Sequence, residues 1–243
     1  MEEYLLKARL DDAIDMSYTQ TKYLGFLDPA EVMYVNSLVK NANYLKTNFW
    51  GGFDDAERKI FAVGENSDIL EDFPLKAITI RFRNEDQLSH RDILGSFMAQ
   101  GVNRNSVGDI LTEDGRAVIF VKSELANYFL QNLTKIGKTG VKCSENIDYP
   151  LPVAFRFTEL STVIASQRLD CLIAFLMKTS REKAGSAISN GLVTVNYKVI
   201  TNRSQKMQEK DKISIRGKGK FLLDTIGPLT KKERLTVKIK KYI

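Results

Sequence analysis

The sequence predicts an α+β protein of three small domains, and three observations carry that expectation. Its 243 residues exceed what one small core needs, and 43% hydrophobic with 27% charged residues are the proportions of an ordinary globular chain. The hydrophobic spacing changes twice: from helical to alternating near residue 76, and to two short helices followed by strands beyond residue 160. Charge changes along with spacing. Residues 161–243 hold 18 Lys and Arg against 6 Asp and Glu, a net +12, while residues 1–160 hold 18 against 24, a net −6. Such asymmetry assigns polyanion binding to the C-terminal part.

Residues 1–75 read as acidic and mostly helical. Val32, Val35, Leu38, Val39 and Ala42 recur at helical spacing within 31–45, and turn signals stand at Asp28-Pro29, Gly51-Gly52 and Phe73-Pro74. In residues 76–159, Ile78, Ile80 and Phe82 alternate with polar neighbours, which predicts a half-buried strand. Ser89, with Asp92 three residues on, predicts a helix start, and Ile93, Leu94, Phe97 and Met98 give that helix an apolar face ending at Gly101. Strands near Ile110 and over 117–121, a helix over 123–133 and a strand over 153–157 complete the order strand, helix, strand, strand, helix, strand. That is a split βαβ pattern, ferredoxin-like or RRM-like. Its third strand has a single aromatic, Phe120, and lacks the stacking signature of RNA-recognition modules.

Residues 160–243 predict a compact α+β domain. Leu169, Leu172, Ile173 and Leu176 line one helix face, and Ser180 caps a second helix that buries Ala184, Ala187 and Ile188. Asn190-Gly191 stops it, and strands follow over 193–196, near 199, over 212–216 and 221–224, and over 235–239.

Several function classes drop out. No run of eighteen apolar residues exists, and the acidic Met1-Glu2-Glu3 start carries no basic-then-apolar leader, so a cytoplasmic protein that meets no membrane is expected. Cys143, Cys171 and a lone His90 cannot supply a usual zinc ligand set, so two reduced thiols, no metal and no cofactor are expected. His90-Arg91-Asp92 looks like a kinase catalytic loop, but the following asparagine, the glycine-rich loop and the upstream lysine are missing.

Four ordered signatures sharpen the C-terminal reading: Arg168-Leu169-Asp170, Ser180-Arg181, Asn190-Gly191-Leu192-Val193-Thr194-Val195-Asn196, and Asp211-Lys212-Ile213-Ser214-Ile215-Arg216-Gly217-Lys218-Gly219. Together they resemble the S4, or alpha-L, RNA-binding domain over about eighty residues. The resemblance implies RNA contact by Arg168, Ser180, Arg181, Lys183, Asn196, Lys198, Arg216, Lys218 and Lys220. The chemistry agrees: Arg168 and Arg181 stand near helix starts, where N–H groups also attract phosphate, and arginine's planar fork suits phosphate oxygens. The glycines beside Arg216, Lys218 and Lys220 permit close backbone approach.

Three further stretches resemble the YlmH-type proteins encoded near bacterial cell-division genes: Gly51-Gly52-Phe53 through Ala56-Glu57-Arg58-Lys59, Leu88-Ser89-His90-Arg91-Asp92-Ile93-Leu94-Gly95, and Gly101-Val102-Asn103-Arg104 through Val107-Gly108-Asp109-Ile110. That resemblance implies a non-catalytic, monomeric RNA-binding protein on large-subunit ribosomal RNA. It connects the chain with rescue of obstructed subunits that still hold peptidyl-tRNA. His90, Arg91 and Arg104 are expected to form a second RNA-facing patch. Two alternatives stay open. A pseudouridine synthase also relies on an aspartate beside arginine and leucine, and an acidic N-terminal region suits a cell-division interaction protein.

Overall fold

The computed structural model describes residues 2–40, 46–64, 72–153, 157–230 and 232–242. They fall into two compact units, residues 1–154 and 155–243.

The first unit opens with α1 (Glu2–Ser17), β1 (Lys22–Leu27), α2 (Pro29–Val39), β2 (Lys46–Trp50) and β3 (Lys59–Gly64), the strands forming an antiparallel sheet in the order β1-β3-β2. The Asp28-Pro29 signal is a helix start. The Asp28 carboxylate accepts from the Glu31 N–H at 2.9 Å, and the Glu31 carboxylate accepts from the Asp28 N–H at 2.7 Å. The mostly helical expectation is corrected here to a mixed sheet and helices. β1 and β3 are buried on both faces, so their apolar runs lack the alternation that marks a strand. The predicted helix reaches Val39, while Ala42 and the rest of 41–45 lie outside the described residues.

There follow β4 (Leu75–Arg81), α3 (His90–Met98), a 3₁₀ turn (Arg104–Ser106), β5 (Val107–Glu113), β6 (Arg116–Lys122), α4 (Ser123–Asn132), the small pair β7 (Lys135–Ile136) and β8 (Thr139–Gly140), and β9 (Lys142–Ser144). The sheet order is β5-β6-β4-β9, every neighbouring pair antiparallel. Hence β4 and β5 run parallel with β6 between them, a split βαβ arrangement. Ser89 caps α3 reciprocally with Asp92, as the sequence predicts. The fourth strand is a correction: it is the three-residue β9, too short to show a period. Val153 is an exposed loop residue, 154–156 lie outside the described residues, and Phe157 opens a strand of the second unit.

The centre of this four-stranded sheet is covered on both faces. Ile78, Ile80, Ile119 and Val121 pack toward Ile93 and Phe97 of α3 and Phe129 of α4. The alternate positions Ala77, Leu111, Val118 and Phe120 pack on Phe26, Ile60, Ala62 and Phe73. Full burial of a large apolar side chain stabilises by about 1.5–3 kcal/mol. Phe26, Ile60, Val118 and Phe120 together therefore rival the whole stability of a small domain, about 5–15 kcal/mol. A boundary near residue 75 is thus replaced by one shared core, and the expected boundary at 159/160 shifts to 154/155.

The second unit comprises β10 (Phe157–Ile164), α5 (Leu169–Met177), α6 (Arg181–Ser189), β11 (Val193–Val195), β12 (Lys198–Val199), β13 (Lys212–Ile215), β14 (Gly219–Leu229) and β15 (Leu235–Tyr242). The strands form one sheet, β10-β15-β14-β13-β11-β12. The helices pack Leu169, Leu172, Ile173, Ala184 and Ile188 against Val193, Ile213, Ile215, Phe221 and Val237. Gly191, at φ 69°, closes α6 with its N–H on the Ile188 carbonyl and that of Leu192 on Ala187.

Candidate nucleic-acid interface

Arg168 is the residue before the first turn of α5, and Arg181 is the first residue of α6. Asp170 draws their side chains together. The Arg168 guanidinium donates Nε to one carboxylate oxygen at 3.2 Å and Nη2 to the other at 2.8 Å, and Arg181 Nε lies 3.0 Å from the second. The Asp170 side chain is only 7% exposed, while those of Arg168 and Arg181 are 41% and 53% exposed. Burial opposes the aspartate's charge, but hydrogen bonds from Arg168 and Arg181 outweigh it and hold the carboxyl at about 2. Two guanidinia are thereby fixed side by side with half their surface in solvent and one charge left over. Such a pair loses little side-chain freedom when it meets phosphate oxygens.

One expectation for this spot is corrected. The N–H groups of Leu169 and Asp170 donate to the carbonyls of Gln205 (2.9 Å) and Arg203 (3.1 Å). The start of α5 has therefore spent the donors that would draw phosphate, and Arg168 acts through its guanidinium alone. The 203–206 loop brings cations that sequence reasoning passed over. Lys206 faces Arg168 across an antiparallel bridge, and Arg203 lies over Gly185 with Nε on the Ser189 hydroxyl at 2.9 Å. A cationic run in a polar loop, Arg203-Ser204-Gln205-Lys206, is the signal that could have found them.

Ser180 accepts from the Lys183 N–H at 3.3 Å, so its hydroxyl serves as the helix cap, and the Lys183 side chain is exposed. Arg216, Lys218 and Lys220 lie on the β13–β14 hairpin, all exposed, with Gly217 and Gly219 at φ 75° and 107°. Nine residues of α6 put roughly 13 Å between Arg181 and the end of the unit that carries this hairpin.

Asn196 and Lys198 belong to a different place. Arg216 bonds back to Leu192 just before β11, whereas the Asn196-Tyr197 turn follows it, so the two hairpins occupy opposite ends of that strand. Asn196 and Tyr197, at φ 46° and 65°, form the tight turn that two left-handed residues favour. The Asn196 amide donates to Asp211 at 2.7 Å, and its oxygen accepts the Lys212 N–H at 2.9 Å. Asn196 holds the turn, and Lys198 is the exposed cation beside it.

The expected second patch does not assemble. His90 and Arg91 are exposed at the start of α3, but Arg104 points inward, donating to the carbonyls of Val107 and Gly108. The cause is a register shift in the β5–β6 pairing between Val107 and Ile110, which leaves carbonyls without ladder partners. Arg58 supplies the remaining donors, to Val107 at 3.2 Å, to Phe26 beside a second shift in β1 at 2.7 Å, and to Arg104 at 3.4 Å. Asp109 accepts the Glu57 N–H at 2.6 Å and the Arg58 N–H at 3.3 Å. Burial, then the neighbouring Arg58, lowers the Arg104 guanidinium to about 10, and burial raises the Asp109 carboxyl. Two of the stretches that suggest the YlmH type thus meet in a structural joint.

A cationic C-terminal unit on an α+β frame, with two arginines pinned at its surface, is the make-up of a nucleic-acid-binding protein. Residues 69–149 match a family model described as the putative RNA-binding domain in YlmH. The chain is 33% identical over 225 residues to the ribosome-associated protein quality control protein P2 of Bacillus subtilis, covering 89% of this chain and 85% of that one. A solved structure, the cell division protein ylmH from Streptococcus pneumoniae, aligns with a TM-score of 0.50 at 24% identity, over 60% of this chain and 92% of that one. The chain belongs to the YlmH family.

Proposed function

We propose that this protein is a non-catalytic RNA adaptor that grips large-subunit ribosomal RNA, with peptidyl-tRNA close by, through an S4-like C-terminal unit. It works as a cytoplasmic monomer in quality control of obstructed subunits. The observation that carries the reading is the Asp170-pinned arginine pair on a unit of net charge +12. The name of the Bacillus subtilis relative supports the ribosomal setting, and the description of the family model supports RNA contact by residues 69–149 as well.

Each phosphate contact on duplex nucleic acid adds about −0.9 to the slope of log K against log salt. Replacing Arg168, Arg181 and Lys218 together by alanine is expected to flatten that slope by about 2–3 and to weaken binding to large-subunit RNA. Filter binding from low to moderate salt reads both. An unchanged slope and affinity would remove the adaptor reading.

The synthase alternative loses ground at Asp170. That carboxylate is buried, doubly paired with arginine and held at about 2, so it lacks the open access a nucleophile needs.

A further inference from the structure

Residues 69–149 carry the putative RNA-binding domain, and a split βαβ unit of this order can bind RNA by stacking bases on the open face of its sheet. That face is closed here. Ala77, Leu111, Val118 and Phe120, the side chains at its centre, are buried at 6%, 3%, 0% and 1% exposure beneath Phe26, Ile60, Ala62 and Phe73. Opening it would expose the core that the four-stranded sheet shares with β1 and β3. RNA must therefore reach this region elsewhere.

The helix layer offers a surface of suitable chemistry. Ile93 and Phe97 turn α3 inward, which leaves Arg91, Gly95 and Ala99 on the outward side, one turn apart. The β7–β8 hairpin lies against α3, its Ile136 in the same cluster as Ile93 and Phe97. Since Ile136 points inward, its neighbour Lys135 points out, paired across the hairpin with Gly140. Lys138 stands in the two-residue turn, whose left-handed Gly137 at φ 58° makes it possible. Arg91, Lys135 and Lys138 are exposed, and among the described residues none forms an ion pair.

Among the described residues, neither crowding nor a left-handed backbone accounts for two glycines here. Gly95 sits mid-helix, where glycine is costly, and Gly140 sits in a strand. Neither has a positive φ, and a Cβ at either would meet nothing within 4 Å. By contrast, Gly25, Gly51, Gly52 and Gly108 in the same unit are all crowded to below 3 Å. Bare backbone in the same layer as three exposed cations suits a sugar-phosphate chain lying close.

We infer that RNA meets residues 69–149 by its phosphate backbone on the α3 and β7–β8 surface, through Arg91, Lys135 and Lys138 over Gly95 and Gly140, and not on the sheet. This rests on the RNA-binding reading above and assigns that reading a second, sequence-independent contact.

Two variants of the full chain test it with large-subunit RNA. Arg91, Lys135 and Lys138 changed together to alanine should flatten the salt slope by about 0.9 for each phosphate no longer neutralised, and this should add to the effect of the Arg168, Arg181 and Lys218 variant. Gly95→Leu should raise the melting temperature, since leucine favours helix and nothing is in its way, yet weaken RNA binding severalfold. Full affinity in the triple variant and in Gly95→Leu, with the C-terminal variant still impaired, would overturn this surface and leave the adaptor reading standing. Full affinity in the C-terminal variant as well would instead defeat RNA gripping itself. Photo-crosslinks from bound RNA should fall within 88–100 and 134–140, and crosslinks confined to 77–81 and 107–121 would return the site to the sheet.

Discussion

The two units each bring a pair of arginines together, and the pairs serve opposite ends. In the C-terminal unit, Arg168 and Arg181 converge on one buried carboxylate and keep their outer edges in water. In the N-terminal unit, Arg58 and Arg104 converge on backbone carbonyls and are drawn inside, where burial lowers both. What separates them is the acceptor. Irregular strand pairing at Phe26 and Val107 creates carbonyls that need donors, and arginine's five N–H groups meet that need from a single side chain. Where no such carbonyls exist, the same residue type remains a surface cation. An arginine in a signature stretch is therefore no evidence of ligand contact until its acceptors are known.

The comparison breaks most readily at Arg58. Alanine there strands the carbonyls of Phe26 and Arg104 and takes from that of Val107 one of its two donors, and each buried acceptor left unpaired costs about 1–3 kcal/mol. A loss of about 3 kcal/mol or more is expected for the N-terminal unit, read as a lower urea midpoint, with the C-terminal unit's own transition unmoved. Arg58→Lys should recover little, because one ammonium cannot serve three separated carbonyls. A stable Arg58→Ala protein with weakened RNA binding would make this pair an interface as well.

A smaller effect is expected at Asp170, and pH gives its sign. The folded carboxyl is lowered from 3.8 to about 2, so its stabilising contribution is complete above about pH 4 and is lost as pH falls toward 2. Asp170→Asn should remove that acid step from thermal melts between about pH 2 and 5 and lower the midpoint at neutral pH. It should also weaken RNA binding severalfold, because two unpinned guanidinia repel each other and splay. An acid step that persists in the variant would assign it to another carboxylate.

These contrasts also mark what the sequence could reveal. Ser89 with Asp92, Asn190-Gly191 and the two arginine helix starts were legible because caps and stops are local chemistry, set by residues three or four apart. β1 and β3 were not, because burial on both faces erases their period, and β9 is too brief to have one. Arg104 was misread for a deeper reason. Its acceptors, Val107 and Gly108, are only three and four residues on, but the shift that turns them to a side chain is set by pairing with Ile119 and Val121. The joint is completed by Arg58, distant in sequence, so no window around Arg104 contains the cause. The same distance hid the closure of the sheet face, which needs Phe26 and Ile60 as much as Phe120.

The finest test lies within one turn. Asn196 and Lys198 are two residues apart, and both resemble RNA contacts of the S4 type, yet the structure gives them different work. Asn196→Ala removes two bonds to Asp211 and Lys212 and forces a Cβ-bearing residue without local hydrogen bonds to hold φ 46°. About 1–2 kcal/mol of stability should go, with the salt slope of RNA binding intact. Lys198→Ala should do the reverse, leaving the melt unchanged and flattening the slope by about 0.9. If instead Asn196→Ala flattens the slope without a change in the melt, the turn is a contact and the bonds seen at its amide are incidental. The pair thus separates holding a surface in shape from touching what binds there, the same division that the two arginine pairs draw on a larger scale.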